Sequence, residues 1–449
     1  MPELAIPVEY RAEVIQPILE LLLSGESAAL VGVGSSGKSN IARHLKRLDV
    51  RAHYLGAEDT RTLVIFLNCK AYAQAAPHDF YLYALDQLEQ ALEDSKNHAR
   101  VNDLWNEAQA NPERLARRNL NRGLDRVVSA GIEHIICLLD DGDDLLAHGS
   151  RVLFTDLREL RDNHKNQLVY LTVTRREPAF LRRDGKEFED FFELLDASGH
   201  TIPLPPYTAS DGHHMLRRLA ARQTPPRPIS EAEIRRLHEM GGGHAGLMRT
   251  MFFTARTGTD VLGQNIIAKM GDNAEVEAEC GKIMDSLEDI ERLALRQLAH
   301  GKTPSPDGLR RLVRRGLVQE RVGRAPEIFS PVFEYYLQQE TPPQTENPTS
   351  LQLEFLGGGQ TRINGQIVAL TRVEVVLLQH LWANQPKPCP VPDLLTTMRA
   401  AEADEAQEHR AHGPTPARLT HYLTRLKDKL GPAIGPRLQN DGNHYWLAG

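Results

Sequence analysis

The N-terminal half of the chain alternates short apolar runs with helical patterns. Residues 27–34, 63–68, 134–140 and 168–174 are β-branched or Leu-rich runs of strand length, and 200–204 is a fifth. Strands alternating with helices predict a parallel sheet covered on both faces. This α/β unit, 1–208, is followed by a helical stretch, 209–284. Between 285 and 338, two or three helices precede 316–322, which reads as a short hairpin, the wing of a winged helix. Residues 339–350 are polar and Pro-rich, as a linker is. The last unit, 351–449, mixes strands and helices and ends on a strand at 445–447. Within it Leu419, Leu423, Leu426 and Leu430 recur at helical spacing and predict one buried face.

Chemistry enters at residues 32–39, GVGSSGKS, which fit the phosphate-loop pattern G-x-x-x-x-G-K-[ST] between a strand-like run and a helical one. Glycines at 32, 34 and 37 let the backbone turn its N–H groups inward around phosphate oxygens. The following helix points its positive end at the same anion. The expected nucleotide contacts are Gly32, Val33, Gly34, Ser35, Ser36, Gly37, Lys38, Ser39 and Asn40. Lys38 would reach the β- and γ-phosphates, and the Ser39 hydroxyl would ligate Mg²⁺.

Residues 134–141 are an apolar run ending in two carboxylates, and they resemble a Walker B motif. Asp140 would then hold Mg²⁺ with Ser39, and Asp141 would polarise the attacking water. Glutamate is common at that second position, so the shorter Asp141 predicts slow hydrolysis. Asp143 and Asp144 read equally well as solvated loop charges.

Residues 10–338 as a whole resemble the STAND/AAA+ group of P-loop ATPases. The strand 168–174 resembles their sensor strand, which implies that Thr174 or Arg175 contacts the γ-phosphate region. Residues 241–249, GGGHAGLMR, resemble a lid segment and imply that His244 and Arg249 touch the nucleotide, although Ala245 stands where Pro is usual. Arg175, Arg176, Arg182 and Arg183 stand where an arginine finger for a neighbouring subunit could lie. The run Arg114, Arg117, Arg118, Arg122 and Arg126 reads as a solvated helix face.

The unit 351–449 resembles the winged helix-turn-helix domain of OmpR/PhoB response regulators, on residues 363–371, 374–378, 419–431 and 441–445. That likeness implies a recognition helix presenting Arg418, His421, Thr424, Arg425 and Lys429 to DNA, with Arg437 and His444 nearby. The unit carries ten basic against nine acidic residues, little excess for phosphate neutralisation. Residues 301–324 are richer, with seven basic against two acidic, and offer Arg310 and Arg314 as further DNA contacts.

Bulk composition narrows the classes. At 41% hydrophobic and 25% charged, with net charge −7, the 449-residue chain reads as globular and multidomain. It holds no run of transmembrane length, so no membrane partner is expected. Four scattered cysteines, Cys69, Cys137, Cys280 and Cys389, fit a reducing cytoplasm better than a disulfide framework or a zinc site.

Together these readings predict an α/β P-loop NTPase fold with a parallel sheet, a helical lid and two winged helices. Its cofactors would be ATP or ADP with Mg²⁺, its partner DNA, and its role an ATP-hydrolysing switch that controls DNA binding. Three alternatives stay open. They are a signalling or defence NTPase whose winged helices bind protein, an origin-recognition-like loader, and oligomer formation on ATP binding.

Overall fold

The computed structural model describes residues 5–449 except 73, 96–98, 182–185, 197–198, 256–259, 322, 341–352, 358–359, 364–365, 386, 404–414, 431–434, 442 and 448–449. The chain divides into two compact units, 1–342 and 343–449.

The first unit is built on five parallel strands: β1 (Ala28–Val31), β2 (Thr62–Asn68), β3 (His134–Asp140), β4 (Leu168–Thr174) and β5 (Thr201–Pro203). Their order across the sheet is β2-β3-β4-β1-β5. Helices cover both faces, so β3 and β4 are apolar almost without interruption. Side chains still alternate. Leu30, Ile136, Leu138, Val169 and Leu171 enter one core; Val31, Ile135, Leu139, Leu168 and Tyr170 enter the other. Pro203 lacks a ladder donor and sits on the edge strand, where that costs little.

The first core does not stop at the sheet. It runs on through Leu247, Met248 and Met251 of the helix Ala245–Thr254, through Ile283 and Leu287, to Leu295, Leu312 and Phe333. The segments expected as core, lid and first winged helix therefore share one apolar interior. Within the last of these, helices Asp289–Ala299 and Pro306–Arg314 precede a two-stranded antiparallel sheet, β6 (Val318–Gln319) with β7 (Glu327–Ile328). The second strand comes later than the expected hairpin at 316–322. Its two ladder residues are too few to show as a periodic run.

The second unit opens with antiparallel strands β8 (Leu353–Gly357), β9 (Gln360–Ile363) and β10 (Gln366–Ala369). Helices Arg372–Asn384, Val391–Ala403 and Pro416–Lys429 follow, then a sheet β11-β13-β12 of Cys389–Pro390, His444–Leu447 and Leu438–Asn440. Its separate core includes Leu419, Leu423, Leu426 and Leu430, at most 5% exposed, as their spacing predicts. All four cysteines are buried and free. No described helix is long and apolar enough to cross a membrane.

Because the cores are separate, Leu423→Ala should destabilise the second unit alone. The cavity it leaves costs about 2–5 kcal/mol. Calorimetric or denaturant unfolding of the full chain should show one transition shifted and the other unmoved.

Candidate nucleotide site

The phosphate loop leaves the C-terminal end of β1, the edge of a parallel sheet where ligands settle. Gly32 N donates to Thr174 O at 3.1 Å, tying the loop to the end of β4. Gly37 caps the helix Lys38–Leu45 at φ 96°, and a Cβ there would lie 2.6 Å from the Tyr207 hydroxyl. Only glycine fits both constraints. Lys38 Nζ donates to Gly32 O and Val33 O, each at 2.8 Å. Burial lowers the Lys38 ammonium to about 8, with Asp143 pulling the other way.

Ser39 Oγ donates to Asp140 Oδ1 at 3.1 Å. Asp140 is 1% exposed, and its second oxygen has no hydrogen-bond partner. Burial raises this carboxyl above its ordinary range; the Ser39 bond opposes the rise. An orphaned buried carboxylate oxygen beside a hydroxyl suits a hard divalent cation. The residues present therefore fit Mg²⁺. Next to them Asp141 is exposed and held at φ 52°.

A cavity of about 890 Å³ adjoins these groups. It is lined by the loop from Gly34 to Asn40, by Asp141, Asp143, Asp144 and Arg175, and by Arg249 on the far wall. Arg249 stacks over Phe253 at 5.8 Å. Thr174 is fully buried, and its hydroxyl donates to Arg176 O at 2.7 Å. Of the two residues expected at the β4 tip, Arg175 is thus the one that faces the cavity. Asp143 is no solvated loop charge: its oxygens accept from Arg175 N at 3.0 Å and Arg176 N at 3.3 Å.

His244 lies against the loop. It is 1% exposed. Its Nδ1 accepts from Leu247 N at 3.2 Å, so Nε2 carries the proton and donates to Gly34 O at 2.9 Å. Two further contacts on the loop, and a third bond that orients one of them, had no local signal in the sequence. Gly34 N donates to Ser286 Oγ at 2.8 Å, Ser286 Oγ donates to Lys282 O at 2.7 Å, and Gly246 N donates to Ser35 O at 3.1 Å. Both backbone groups of Gly34 are therefore held by residues more than two hundred positions away.

The basic run 301–324 is largely spent inside the first unit. Arg315 is 5% exposed, pairs with Glu291 at 3.0 Å, and donates to Arg175 O at 2.7 Å and Ser286 O at 3.4 Å. Arg311 pairs with Asp307 and stacks on Phe180. Arg314, expected to reach DNA, donates to Thr201 O at 2.8 Å and pairs with Glu177 at 3.7 Å. Arg310 stays outward, its side chain 77% exposed. Arg176 pairs with Glu288, while Arg182 and Arg183 lie outside the described residues. The arginine face of 114–126 is laced with carboxylates, Arg117 to Asp156, Arg122 to Glu107 and Arg126 to Asp103.

In the second unit, Lys429 Nζ bonds Glu374 at 2.8 Å and Arg425 approaches the same buried carboxylate at 3.6 Å. Glu374 also closes a capping box with Thr371. Two residues expected to face a groove thus brace the helix Pro416–Lys429 against the helix Arg372–Asn384. Thr424 is exposed, Arg418 and Arg437 are half-buried, and His444 contacts Asp441 at 3.1 Å. The side chain of His421 lies outside the described residues.

The sheet order and the loop–carboxylate pair define the first unit as a P-loop NTPase fold. No protein-family model matches the chain, and no curated protein matches it. Among solved structures it is similar to the Walker-type ATPase PABY2304 of Pyrococcus abyssi, at 18% identity over 73% of this chain and 95% of that one, TM-score 0.47. It is also similar to the Aeropyrum pernix ORC1 protein in complex with DNA, at 14% identity over 100% of this chain and 91% of that one, TM-score 0.36. A third is Thermotoga maritima RuvB, at 12% identity over 74% and 96%, TM-score 0.31. The chemistry assigned to the site rests on its own geometry.

Burial pushes the His244 imidazole down to about 4, against the pull of the Gly34 carbonyl. Between pH 4 and the ordinary value near 6.5, the unfolded chain binds a proton that the folded one refuses. This contribution is complete above about pH 6.5 and is lost as pH falls toward 4. From pH 7 to 5.5 it amounts to about 1 kcal/mol. His244→Gln should lose that much less stability than the wild type over this range, read by denaturant unfolding at the two pH values.

Proposed function

We propose that this chain binds and hydrolyses ATP, and that the nucleotide state of the phosphate loop governs contact with DNA. The observation that carries this reading is the double hold on Gly34 by His244 and Ser286. The backbone that would receive a phosphate is the same backbone that the lid segment and the lid–winged-helix junction grip. A ligand that fills the loop must act on both.

The roles follow from placement. Backbone N–H groups of 34–39 and Lys38 would hold phosphates; Ser39 and Asp140 would hold Mg²⁺, which would offset charge on the transferred group. Asp141, exposed in the cavity, is the general base for water. Arg175 and Arg249 line the same space as further anion contacts. Lys38→Ala should abolish nucleotide binding in titration calorimetry. Asp141→Asn should bind normally and lose at least about 100-fold in turnover, the low end of general-base effects. Equal turnover in the two proteins would remove Asp141 from the mechanism.

DNA contact is assigned to the second unit, of OmpR-type winged-helix character, through Arg418, His421, Thr424, Arg437 and His444, with Arg310 in the first. One observation favours the second reading, an origin-recognition-like ATPase whose DNA contacts spread along the chain. Arg425 and Lys429 are drawn onto Glu374, which thins the recognition helix as a base reader. Electrophoretic shift of the full chain at two salt concentrations tests both. A nucleotide-dependent shift is expected, with Ser286→Ala narrowing the difference between ATP- and ADP-bound protein. No shift with any nucleotide sinks the DNA assignment, and a sequence-independent shift favours the loader.

A further inference from the structure

We infer that Lys70 is a further substrate-binding residue of this site, a cation for the terminal phosphate of a nucleoside triphosphate. The inference rests on the nucleotide reading above and adds to it how the site tells a triphosphate from a diphosphate.

Placement comes first. The register of β2 and β3 sets Asn68 beside Asp140. One residue on, Cys69 N donates to Asp140 O at 2.8 Å, so the chain leaving β2 runs alongside the acidic loop leaving β3. Cys69 itself is fully buried, which anchors the turn. Asn68 then fixes Lys70 directly: its Oδ1 accepts from Lys70 N at 3.1 Å, while Tyr83 Oη accepts from Asn68 N at 3.0 Å. From this fixed backbone Lys70 lines the same cavity as the phosphate loop and Asp141.

Charge comes next. Five cations line the cavity: Lys38, Lys70, Arg175, Arg249 and Lys282. Arg175 is engaged by Asp143, and Lys282 by Glu279 at 2.7 Å. Lys38 is folded onto the loop carbonyls, and Arg249 lies over Phe253 on the lid wall. Lys70 is exposed and makes no ion pair among the described residues. Asp141 and Asp144, on the β3 side of the cavity, would repel a terminal phosphate. A lysine on the same side offsets that repulsion. The end of β3 is also where Ser39 and Asp140 would hold a metal, whose charge would help to bind the terminal phosphates. A cation here meets the γ-phosphate rather than the α-phosphate or the base. As a flexible point charge, lysine suits this role without bidentate geometry.

Titration of the full chain with ADP and with a non-hydrolysable ATP analogue tests the assignment in Lys70→Ala and Lys70→Arg. Lys70 is outside both cores, so the alanine variant should keep the wild-type unfolding transitions. The expected result is ADP affinity within about twofold of wild type and ATP-analogue affinity about tenfold weaker, as for one charge-assisted hydrogen bond. The arginine variant should recover most of the loss. Equal weakening of both ligands, or no weakening of either, overturns the role of Lys70 while leaving the nucleotide site intact. A wild-type chain that binds neither ligand overturns the nucleotide reading itself and the inference with it.

Discussion

Gly34 is held from both sides, its N–H by Ser286 and its carbonyl by His244, and the first unit is organised around that hold. A buried backbone group left without a partner costs about 1–3 kcal/mol, more than the net worth of a typical bond. The junction therefore cannot leave the loop freely: each departing contact must be replaced by phosphate or water. That asymmetry is the physical basis for coupling. An effector that satisfies the loop in place of Ser286 shifts the junction by the difference between the two sets of contacts. Differences of about 1–3 kcal/mol are the usual scale of such coupling.

Arg315 extends the hold into the segment 285–338. Its buried guanidinium lies between Glu291, the Arg175 carbonyl and the Ser286 carbonyl. A buried ion pair of this kind is weak evidence for stability, because desolvation offsets the attraction. What it supplies is register. Removing either partner leaves an uncompensated charge, so the helices carrying Glu291 and Arg315 cannot slide past each other cheaply. The same contacts explain why a count of charges along 301–324 misleads. Carboxylates at Glu177, Glu291 and Asp307 engage Arg314, Arg315 and Arg311, and two of these carboxylates, Glu177 and Glu291, lie outside the run.

Features with a short-range signature were legible in the sequence. The sheet strands show as apolar runs because helices cover both faces. The phosphate loop and Asp140 show because each motif is contiguous and its chemistry needs fixed neighbours. The buried face of Pro416–Lys429 shows in its leucines. Features made by distant partners were not legible. Ser286 carries no pattern of its own, and its partner is Gly34, 252 positions away. Thr174 and Arg175 are adjacent, and only the turn clamped by Asp143 decides which one faces the cavity. Likewise, a helical wheel assigns Lys429 to the polar side but does not reveal Glu374, 55 residues earlier, waiting there.

These contacts join into one chain of bonds. Asp143, beside Asp140 and Asp141, accepts from Arg175 N; Arg175 O accepts from Arg315; Arg315 also donates to Ser286 O; and Ser286 Oγ accepts from Gly34 N. Gly32, two residues before Gly34, returns to Thr174 O at the base of the same strand tip. The circuit closes on itself, so a displacement at the phosphate loop reaches the β4 tip by two routes, one through β-sheet bonding and one through Ser286 and Arg315. The sheet route is stiff, because β1 and β4 share a parallel ladder. The other route crosses helices after residue 209 whose apolar interior is continuous with the core and non-directional. Angular information passes through its directional bonds, among them those of His244, Gly246, Ser286 and Arg315. The apolar interior sets how tightly the segments 209–284 and 285–338 pack, and the polar circuit sets the position in which they do so.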